Sequence, residues 1–323
     1  MFDKKLDKKY HNNEERMKYC VVFGCCTLDI ATYEKDGTKE ISFGGKGGNQ
    51  AVALSRAGVK TYMLTKLSKL KSEIKHTKAH IKNLKRNKVI TKFIEFDFKT
   101  RNDYTNVIIS KNGDNELLEK VDISQNVDVE YVRKNKKLLQ NASYVLIQMK
   151  VPVEVTREII QICNAAGVKI VLTPCRIKKM LDNLDLIEKV DYITCNQKEA
   201  SLIFGKDGKL SASELNSVLK RYPNKLIVTL GGKGVKFFDG KKIIYEKAIQ
   251  NLNVIDTTGA GDTFCSNFVS SLFEGDTYLV AVRKAICSSS IKIQSKGTQN
   301  GMPYKKARDK FYLETFATKQ GEL

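Results

Sequence analysis

The string Asp256-Thr-Thr-Gly-Ala-Gly-Asp262 holds the residues with the clearest capacity for chemistry. It follows an apolar run at 252–255, expected as a strand, and it precedes a helical pattern at 260–273. Small residues let backbone amides approach a ligand, and amides at a helix N-terminus form an anion site. Asp262 could then take a proton from a hydroxyl while the amides hold the charge of a transferring phosphoryl group. An N-cap aspartate after a glycine turn would explain the last four residues alone, but not the whole string.

A second glycine-rich stretch, Gly44-Gly-Lys-Gly-Gly-Asn49, also precedes a helical pattern. It lacks the Ser or Thr that follows the lysine of a Walker loop, and it lacks the third glycine of a dinucleotide fingerprint. A flexible turn followed by Asn49 suits contact with sugar hydroxyls, because an amide side chain both donates and accepts, and Lys46 adds a cation. A loop that simply precedes a helix explains the stretch nearly as well.

Strands and helices alternate along most of the chain, and this order must position both glycine-rich stretches. Apolar runs predict strands at 19–24, 60–67, 143–148, 168–172, 191–195, 225–230 and 234–238. Amphipathic patterns predict helices at 49–56, 69–87, 153–166, 197–204, 211–221, 260–273 and 277–291. Such alternation is typical of a mostly parallel sheet with right-handed crossovers. Strand-like pieces at 30–43, with a turn at Asp36-Gly37, and at 93–110 could pair as a small separate sheet.

Five motifs occur in a fixed order: Gly24 to Asp29, Gly44 to Asn49, Asn196 to Glu199, Thr229 to Gly234, and Asp256 to Asp262. Together they resemble the PfkB carbohydrate-kinase family, and most of all its ribokinase branch, over residues 19–310. The resemblance implies a three-layer α/β/α sandwich with a mostly parallel central sheet and a small β lid over the sugar. We expect a polar leader at 1–18, one kinase domain at 19–315 with lid strands from 30–43 and 93–110, and a tail at 316–323.

The resemblance also implies a role for individual residues. The catalytic positions are the base, Asp262, and an anion hole formed by Gly259, Ala260 and Gly261. The positions that bind the sugar are Asp29, Thr27, Gly45, Lys46, Asn49 and Lys150. The positions that bind ATP are Asn196, Glu199, Thr229, Gly231 and Gly234, the first two organising phosphate and Mg²⁺ through water. A monovalent-cation site, formed partly by backbone, is implied at Asp256, Thr258, Lys292 and Gly297.

The activity that the resemblance implies is transfer of the ATP γ-phosphate to a hydroxyl of a small sugar, with ribose, giving ribose 5-phosphate, as the first acceptor. ATP, Mg²⁺ and a monovalent cation such as K⁺ are the implied cofactors, and a homodimer through the β lid is an option. Phosphoryl transfer needs mainly positioning, charge neutralisation and a base. Mg²⁺ in such a site is held largely by phosphates and water, which fits a sequence without a dense acidic cluster.

Departures from the family pattern lie on the acceptor side. Thr27 stands where the branch usually has a sugar-facing Asn, and Lys150 replaces a carboxylate that accepts sugar hydroxyls. Lys150 and Lys46 would favour an acceptor that already carries a phosphate or carboxylate, although a solvent-facing Lys150 at a strand end is an equal explanation. A nucleoside, a fructose-like sugar or a sugar phosphate therefore stays open as the alternative acceptor.

The 323 residues carry a net charge of +20, which raises nucleic acid, an anionic membrane or a small phosphate ligand as partners. Residues 66–92 hold ten basic residues and one acidic residue. His76 and His80 there have the i, i+4 spacing of metal ligands, but no third ligand is visible, so we expect both to be solvated. This stretch lacks the interleaved aromatic residues of single-strand binders. We therefore expect a solvated lysine surface rather than a nucleic-acid-binding or regulatory protein on a kinase fold.

Apolar runs and cysteine usage indicate the compartment in which the protein works. No apolar run is long enough for a membrane span, and the N-terminus lacks the apolar core of a secretory signal. The eight cysteines are scattered and form no C-x-x-C pair, which is typical of reduced, buried thiols. These features favour a cytoplasmic protein.

Overall fold

The computed structural model describes residues 19–33, 37–109, 115–121 and 123–317, so the expected leader at 1–18, Asp36 of the expected turn and the tail from 318 lie outside the described residues. The strands are β1 Cys20–Phe23, β2 Thr27–Tyr33, β3 Lys39–Gly44, β4 Thr61–Leu64, β5 Lys66–Ser68, β6 Glu95–Asp97, β7 Asp103–Ile109, β8 Asn115–Val121, β9 Tyr144–Gln148, β10 Lys169–Thr173, β11 Tyr192–Asn196, β12 Leu226–Thr229, β13 Gly234–Phe238 and β14 Ile243–Lys247. The α-helices are α1 Lys46–Arg56, α2 Ile74–Arg86, α3 Val129–Lys134, α4 Lys136–Gln140, α5 Val153–Ala165, α6 Ile177–Leu181, α7 Gln197–Phe204, α8 Ala212–Arg221, α9 Ala260–Phe273, α10 Tyr278–Lys292 and α11 Lys305–Tyr312.

The central sheet has eight strands in the order β14-β13-β12-β11-β10-β9-β1-β4. Its six strands from β12 to β4 run parallel, whereas β13 and β14 at one edge are antiparallel. The parallel strands are continuous apolar runs because helices cover both of their faces; β1, for example, is Cys-Val-Val-Phe and buried throughout. The predicted mostly parallel sheet is confirmed.

Helices on both faces of this sheet complete three layers. On one face α3 to α8 bury residues such as Val132, Ile159 and Leu219 against the sheet. On the other face α1, α9 and α10 bury residues such as Ala53 and Phe268. The predicted α/β/α sandwich is therefore confirmed, and the N-termini of α1 and α9 meet at the carboxyl end of the parallel strands, where ligands bind in open α/β sheets.

The lid is a separate four-stranded sheet in the order β3-β2-β7-β8. β2 pairs antiparallel with β3 from Thr27 opposite Gly44 to Thr32 opposite Lys39, so the lid begins at the residues expected to bind the sugar. The expected lid piece 93–110 was partly wrong, because β6 pairs with β5 in a two-stranded sheet and only β7 joins the lid. β8, which the sequence did not indicate, completes it.

Two other expectations change in the structure. Residues 252–255 form no strand, and Val254 and Ile255 are more than half exposed there. His80 is buried against the Phe43 ring, with centroids 5.5 Å apart, and burial lowers its pKa to about 4, so the expectation of a solvated residue was wrong. Within the described residues, no helix has both the length and the apolar character that a membrane crossing requires.

Candidate functional site

The N-terminus of α9 carries the proposed anion hole. Gly259 caps the helix with φ of 80°, a left-handed conformation that glycine adopts without strain. A Cβ there would lie 2.8 Å from a methyl of Thr298 and 3.0 Å from its carbonyl oxygen, so no other residue fits. Ala260 and Gly261 follow in the first turn. The Ala260 amide donates to the Thr257 carbonyl over 3.1 Å, whereas the Gly261 amide has no partner inside the helix. These amides and the positive end of the helix dipole can hold an anion.

Asp262 lies in the same first turn, and side chains of α1 donate hydrogen bonds to its carboxylate. The amide of Asn49 donates to Oδ2 over 2.9 Å, and the amide of Gln50 donates to Oδ1 over 3.2 Å. The Lys46 ammonium lies 3.9 Å from Oδ1. The Asp262 carboxylate raises the pKa of Lys46 above its usual range, against the opposing effect of burial, and Lys46 stays charged. The two glycine-rich stretches, over 200 residues apart in sequence, thus meet at one carboxylate.

Gln50 is a site residue that the sequence did not identify. Its side-chain oxygen accepts from the Gln148 amide over 2.7 Å, and its own amide also reaches Thr173 Oγ1 at 3.2 Å. Gln50 and Gln148 are fully buried. The chain of amides links Asp262 to the ends of β9 and β10, so the sheet fixes the orientation of the carboxylate. Only its position directly after Asn49 could have marked it.

Three of the residues predicted to bind the sugar lie at the start of the lid and in the turn before α1. Gly45 has φ of 83°, and a Cβ there would lie within 3.0 Å of the backbone and hydroxyl of Thr27. Asp29, two residues along β2, is partly buried, and burial raises its pKa while the Thr105 hydroxyl and the Lys150 ammonium oppose the rise. Thr27, Asp29 and Gly45 therefore lie together, as the sequence predicts for sugar-binding residues.

Lys150 pairs with a carboxylate that the sequence analysis missed. Its ammonium lies 3.0 Å from Oδ2 of Asp103, the first residue of lid strand β7. The Lys150 side chain is 12% exposed and that of Asp103 is fully buried, so the interpretation of Lys150 as a solvent-facing surface lysine was wrong. The other Asp103 oxygen accepts from the amides of Ile123 and Ser124. A carboxylate therefore lies at this place after all, contributed by lid strand β7 instead of the end of β9.

A cavity of about 480 Å³ lies on the other side of the anion hole. Five of the predicted residues, Thr229 among them, line it together with apolar ones. The lining includes Gly231, Gly234, Ala260, Gly261, Phe264 and Ile286. A largely apolar slot that opens onto helix-terminal amides suits a planar base joined to a phosphate chain. The run 252–255, expected as a strand, instead contributes Leu252 and Val254 to this wall.

Asn196 and Glu199 form a capping box at the start of α7. The Glu199 amide donates to Asn196 Oδ1 over 2.8 Å, and the Asn196 amide donates to Glu199 Oε2 over 2.9 Å. Neither residue lines the 480 Å³ cavity. The Glu199 carboxylate nevertheless contributes, after Asp262, to the raised pKa of Lys46. Within the described residues, no three His, Cys, Asp or Glu side chains converge as a metal cluster would require.

The four residues expected to hold a monovalent cation also lie together, but they bond to one another. The amides of Thr258 and Gly297 donate to the two carboxylate oxygens of Asp256, over 2.8 and 2.9 Å. The ammonium of Lys292 donates to the Asp256 carbonyl over 2.7 Å. Burial opposes ionisation of Asp256, but its amide donors and the Lys292 charge outweigh that effect and lower its pKa. A cation of the protein itself therefore contacts this segment.

The chain is similar to known proteins over most of its length. Residues 17–305 match the pfkB family carbohydrate kinases. The chain is 30% identical to the ribokinase of Bacillus subtilis over 297 residues, which are 89% of this chain and 97% of that protein. It is 31% identical to the ribokinase of Lactococcus lactis over 270 residues, 80% of this chain and 82% of that protein. The structure of Arabidopsis thaliana ribokinase complexed with ribose and ATP superposes with a TM-score of 0.76 at 24% identity, covering 92% of this chain and 99% of that one.

Proposed function

The chain belongs to the pfkB family of carbohydrate kinases, and from that premise we propose that it transfers the γ-phosphate of ATP to a hydroxyl of ribose. The single observation that carries the proposal is the position of Asp262. Its carboxylate lies in the first turn of α9, beside the helix-terminal amides, and accepts hydrogen bonds from the acceptor-side helix α1. A base placed between an anion hole and a sugar-binding turn is what phosphoryl transfer to a hydroxyl requires.

In the proposed mechanism, Asp262 accepts the proton of the sugar hydroxyl as that oxygen attacks the γ-phosphorus of ATP. The bond between the γ-phosphorus and the β,γ-bridging oxygen breaks, and ADP leaves with the negative charge. Asn49 and Gln50 hold the carboxylate in place through its two oxygens. The amides of Gly261 and its neighbours at the start of α9 stabilise the charge on the phosphoryl oxygens, and Lys46 adds a positive charge on the acceptor side. The lid covers the acceptor and limits transfer to water.

The nucleotide would bind in the 480 Å³ cavity, with its base against Phe264 and Ile286 and its phosphates at the amides of α9. Mg²⁺ would neutralise phosphate charge there. The residues fit a metal held mainly by phosphates and water, because Glu199 keeps one carboxylate oxygen in the capping box and has the other available for a water. Asn196 sets the orientation of Glu199 by capping α7. Thr229, Gly231 and Gly234 would shape the nucleotide side.

The charge balance favours a neutral sugar over an acceptor that already carries a phosphate. Lys150 is paired with Asp103, and Lys46 is paired with Asp262, so neither lysine is uncompensated. A phosphorylated acceptor would have to compete with these carboxylates for the two ammonium groups. The nucleoside, the fructose-like sugar and the sugar phosphate remain alternative acceptors of the same site.

A monovalent cation such as K⁺ at Asp256, Thr258, Lys292 and Gly297 stays a prediction of the family resemblance, and the residues fit it poorly. Both carboxylate oxygens of Asp256 accept from amides, and its carbonyl accepts from an ammonium. A second positive charge at the same carbonyl would be repelled.

The remaining predictions concern the whole molecule. The proposal keeps one kinase domain at 19–315, although residues 313–317 continue the last helix as a π-helical turn across the expected boundary. We also propose a homodimer that forms through the lid, where the apolar side chain of Ile41 is 53% exposed and could be covered by a second copy. The proposal keeps a cytoplasmic location, which the eight free cysteines, seven of them buried, favour.

The test is the release of ADP from ATP and Mg²⁺ with a panel of acceptors: ribose, 2-deoxyribose, fructose, fructose phosphate and adenosine. We expect ribose to give the highest kcat/KM, and ribose 5-phosphate to be the product by mass spectrometry and NMR. Preference for another member of the panel would replace ribose as the acceptor and keep the sugar kinase. No phosphorylation of any member would contradict the proposed reaction.

A further inference from the structure

Lys292, the last residue of α10, has a side chain that is completely buried. Its ammonium donates to the carbonyl oxygen of Asp256 over 2.7 Å. Among the described residues, no carboxylate oxygen lies within 4.0 Å of it. Lysine is one of the side chains least often buried without a paired charge, because removing an ammonium from water is costly. The position of Lys292 therefore needs an explanation.

Two features of the fold stabilise a positive charge at this place. The side chain starts at the C-terminal end of α10, where the helix dipole favours cations. The Asp256 carboxylate, in the same segment, raises the pKa of Lys292 and so opposes the lowering that burial causes. The helix end and the Asp256 carboxylate thus offset part of the cost of burying the Lys292 charge, although burial still lowers its pKa overall.

The contacts of Asp256 connect the ammonium to the anion hole. Asp256 donates its amide to the Ile293 carbonyl over 3.1 Å, and its carboxylate accepts from Thr258 and Gly297. With the Lys292 contact to its carbonyl, each polar group of Asp256 is engaged. Asp256 is three residues before Gly259, the cap of α9. Whatever holds Asp256 therefore fixes the turn that presents the amides of α9.

We propose that the ammonium of Lys292 is a tethered cation that replaces a free monovalent cation at the Asp256 carbonyl and makes the enzyme independent of K⁺. An ammonium and K⁺ carry the same charge and are similar in size, so one can occupy the place of the other against a carbonyl oxygen. Lys292 is a positioning residue, because it acts through the turn at Asp256 and not on the substrate. The consequence for catalysis rests on the proposed kinase reaction, whereas the occupancy of the site does not.

The test compares the wild type with Lys292→Ala and Lys292→Met in the chlorides of potassium, sodium and tetramethylammonium at equal ionic strength. For each protein we would measure kcat and KM with ribose, the affinity for ATP by calorimetry, and the melting temperature. Lys225→Ala is the matched control, because the Lys225 ammonium also donates to backbone carbonyls, those of Ile187 and Glu188, at the opposite end of β12 from Thr229.

The wild type should show the same kcat, ATP affinity and melting temperature in all three salts. Lys292→Ala should lose about tenfold in kcat in tetramethylammonium, the loss expected for one hydrogen bond from a charged donor. Potassium should restore its kcat and raise its melting temperature, since the truncated side chain leaves room for the ion. Lys292→Met fills that room and should not respond, and Lys225→Ala should lose stability without any response to potassium.

Several outcomes would overturn the proposal: several-fold stimulation of the wild type by potassium, full activity of Lys292→Ala in tetramethylammonium, or a folded Lys292→Ala that no salt restores. An equal response of Lys292→Met to potassium would overturn it too. If the wild type phosphorylates no sugar, the proposed function fails, while the melting temperatures and ATP affinities still decide the role of Lys292. If Lys292→Ala does not fold, the salt response of the wild type decides it.

Discussion

The ammonium of Lys150 and the carboxylate of Asp103 form a buried ion pair, 3.0 Å apart, between the end of β9 and the first residue of lid strand β7. The pair joins the central sheet to the lid at the acceptor side of the site. Asp103 also accepts from the amides of Ile123 and Ser124, at the point where the chain leaves the lid. One carboxylate therefore ties both ends of the second lid hairpin to the lysine of the main sheet.

Replacing Lys150 with methionine should destabilise the fold by about 3–5 kcal/mol, because it leaves the Asp103 charge buried without its partner. Denaturant unfolding of Lys150→Met against the wild type measures the effect. The double variant Lys150→Met with Asp103→Asn should recover much of the loss, since no uncompensated charge remains and the amide oxygen can still accept from Ser124. Equal losses in the single and double variants would contradict this account of the pair.

Replacing Asp262 with asparagine should lower kcat by about 10²–10⁴, the usual contribution of a general base. The asparagine keeps the shape of the side chain and removes the charge, so ATP affinity measured by calorimetry should be retained. Asp276→Asn is a matched control, because that carboxylate pairs with Lys284 and Ser271 near the other end of α9. Near-normal turnover of Asp262→Asn would rule out the assigned base.

The layers of the fold were predictable because each depends on local patterns. Continuous apolar runs such as β1 and β9 can only lie in a covered parallel sheet, and α5 was predicted to within one residue by its periodic apolar positions. The apolar run 252–255 was wrongly predicted to be a strand. Its periodicity and composition do not show whether a neighbouring strand is available for it to pair with. Those residues lie beyond edge strand β14 and cover a cavity instead.

The site was predictable only where a motif carries it. The strings around Asn49 and Asp262 could be identified, but their contact joins residues 213 positions apart. Gln50 and Asp103 were missed because their importance comes from partners that no spacing reveals, Asp262 for the first and Lys150 for the second. The sequence shows that Lys150 carries a positive charge. It does not show that Asp103 of lid strand β7 neutralises this charge, because that contact depends on how the lid packs on the central sheet.

Gly234 gives a test of the nucleotide side. It has φ of 115°, and a Cβ there would lie 2.1 Å from the Glu246 carbonyl oxygen, so Gly234→Ala must displace β14 from β13. We expect a higher KM for ATP, a smaller change in kcat, and a lower melting temperature. Gly232→Ala is the control, because a Cβ at that position meets nothing within 4 Å. Equal KM values for ATP in the two variants would argue against a nucleotide in this cavity.

The carboxylate of Glu274 should make stability depend on pH without affecting catalysis. Glu274 follows the last residue of α9. Both of its carboxylate oxygens accept hydrogen bonds from the guanidinium of the buried Arg308, over 2.9 and 3.1 Å, and the Lys305 ammonium lies 2.8 Å from one of them. Burial opposes ionisation of Glu274, but these cations outweigh that effect and lower its pKa. The site base Asp262 is twelve residues earlier on the same helix, about 18 Å along its axis at about 1.5 Å per residue.

A carboxylate whose pKa is lower in the folded state stabilises the fold above its unfolded pKa, about 4.3 for glutamate, and loses that contribution as pH falls through the folded value. Glu274→Gln should therefore be less stable than the wild type at neutral pH, and the difference should shrink steadily below about pH 4. Arg308 would keep Asp309 as an ionic partner, 2.8 Å away, so the variant should still fold. Denaturant unfolding at a series of pH values measures the difference, with kcat at neutral pH expected to match the wild type. A stability difference that stayed constant from neutral to acidic pH would show that the charge of Glu274 is not what holds α9 to α11.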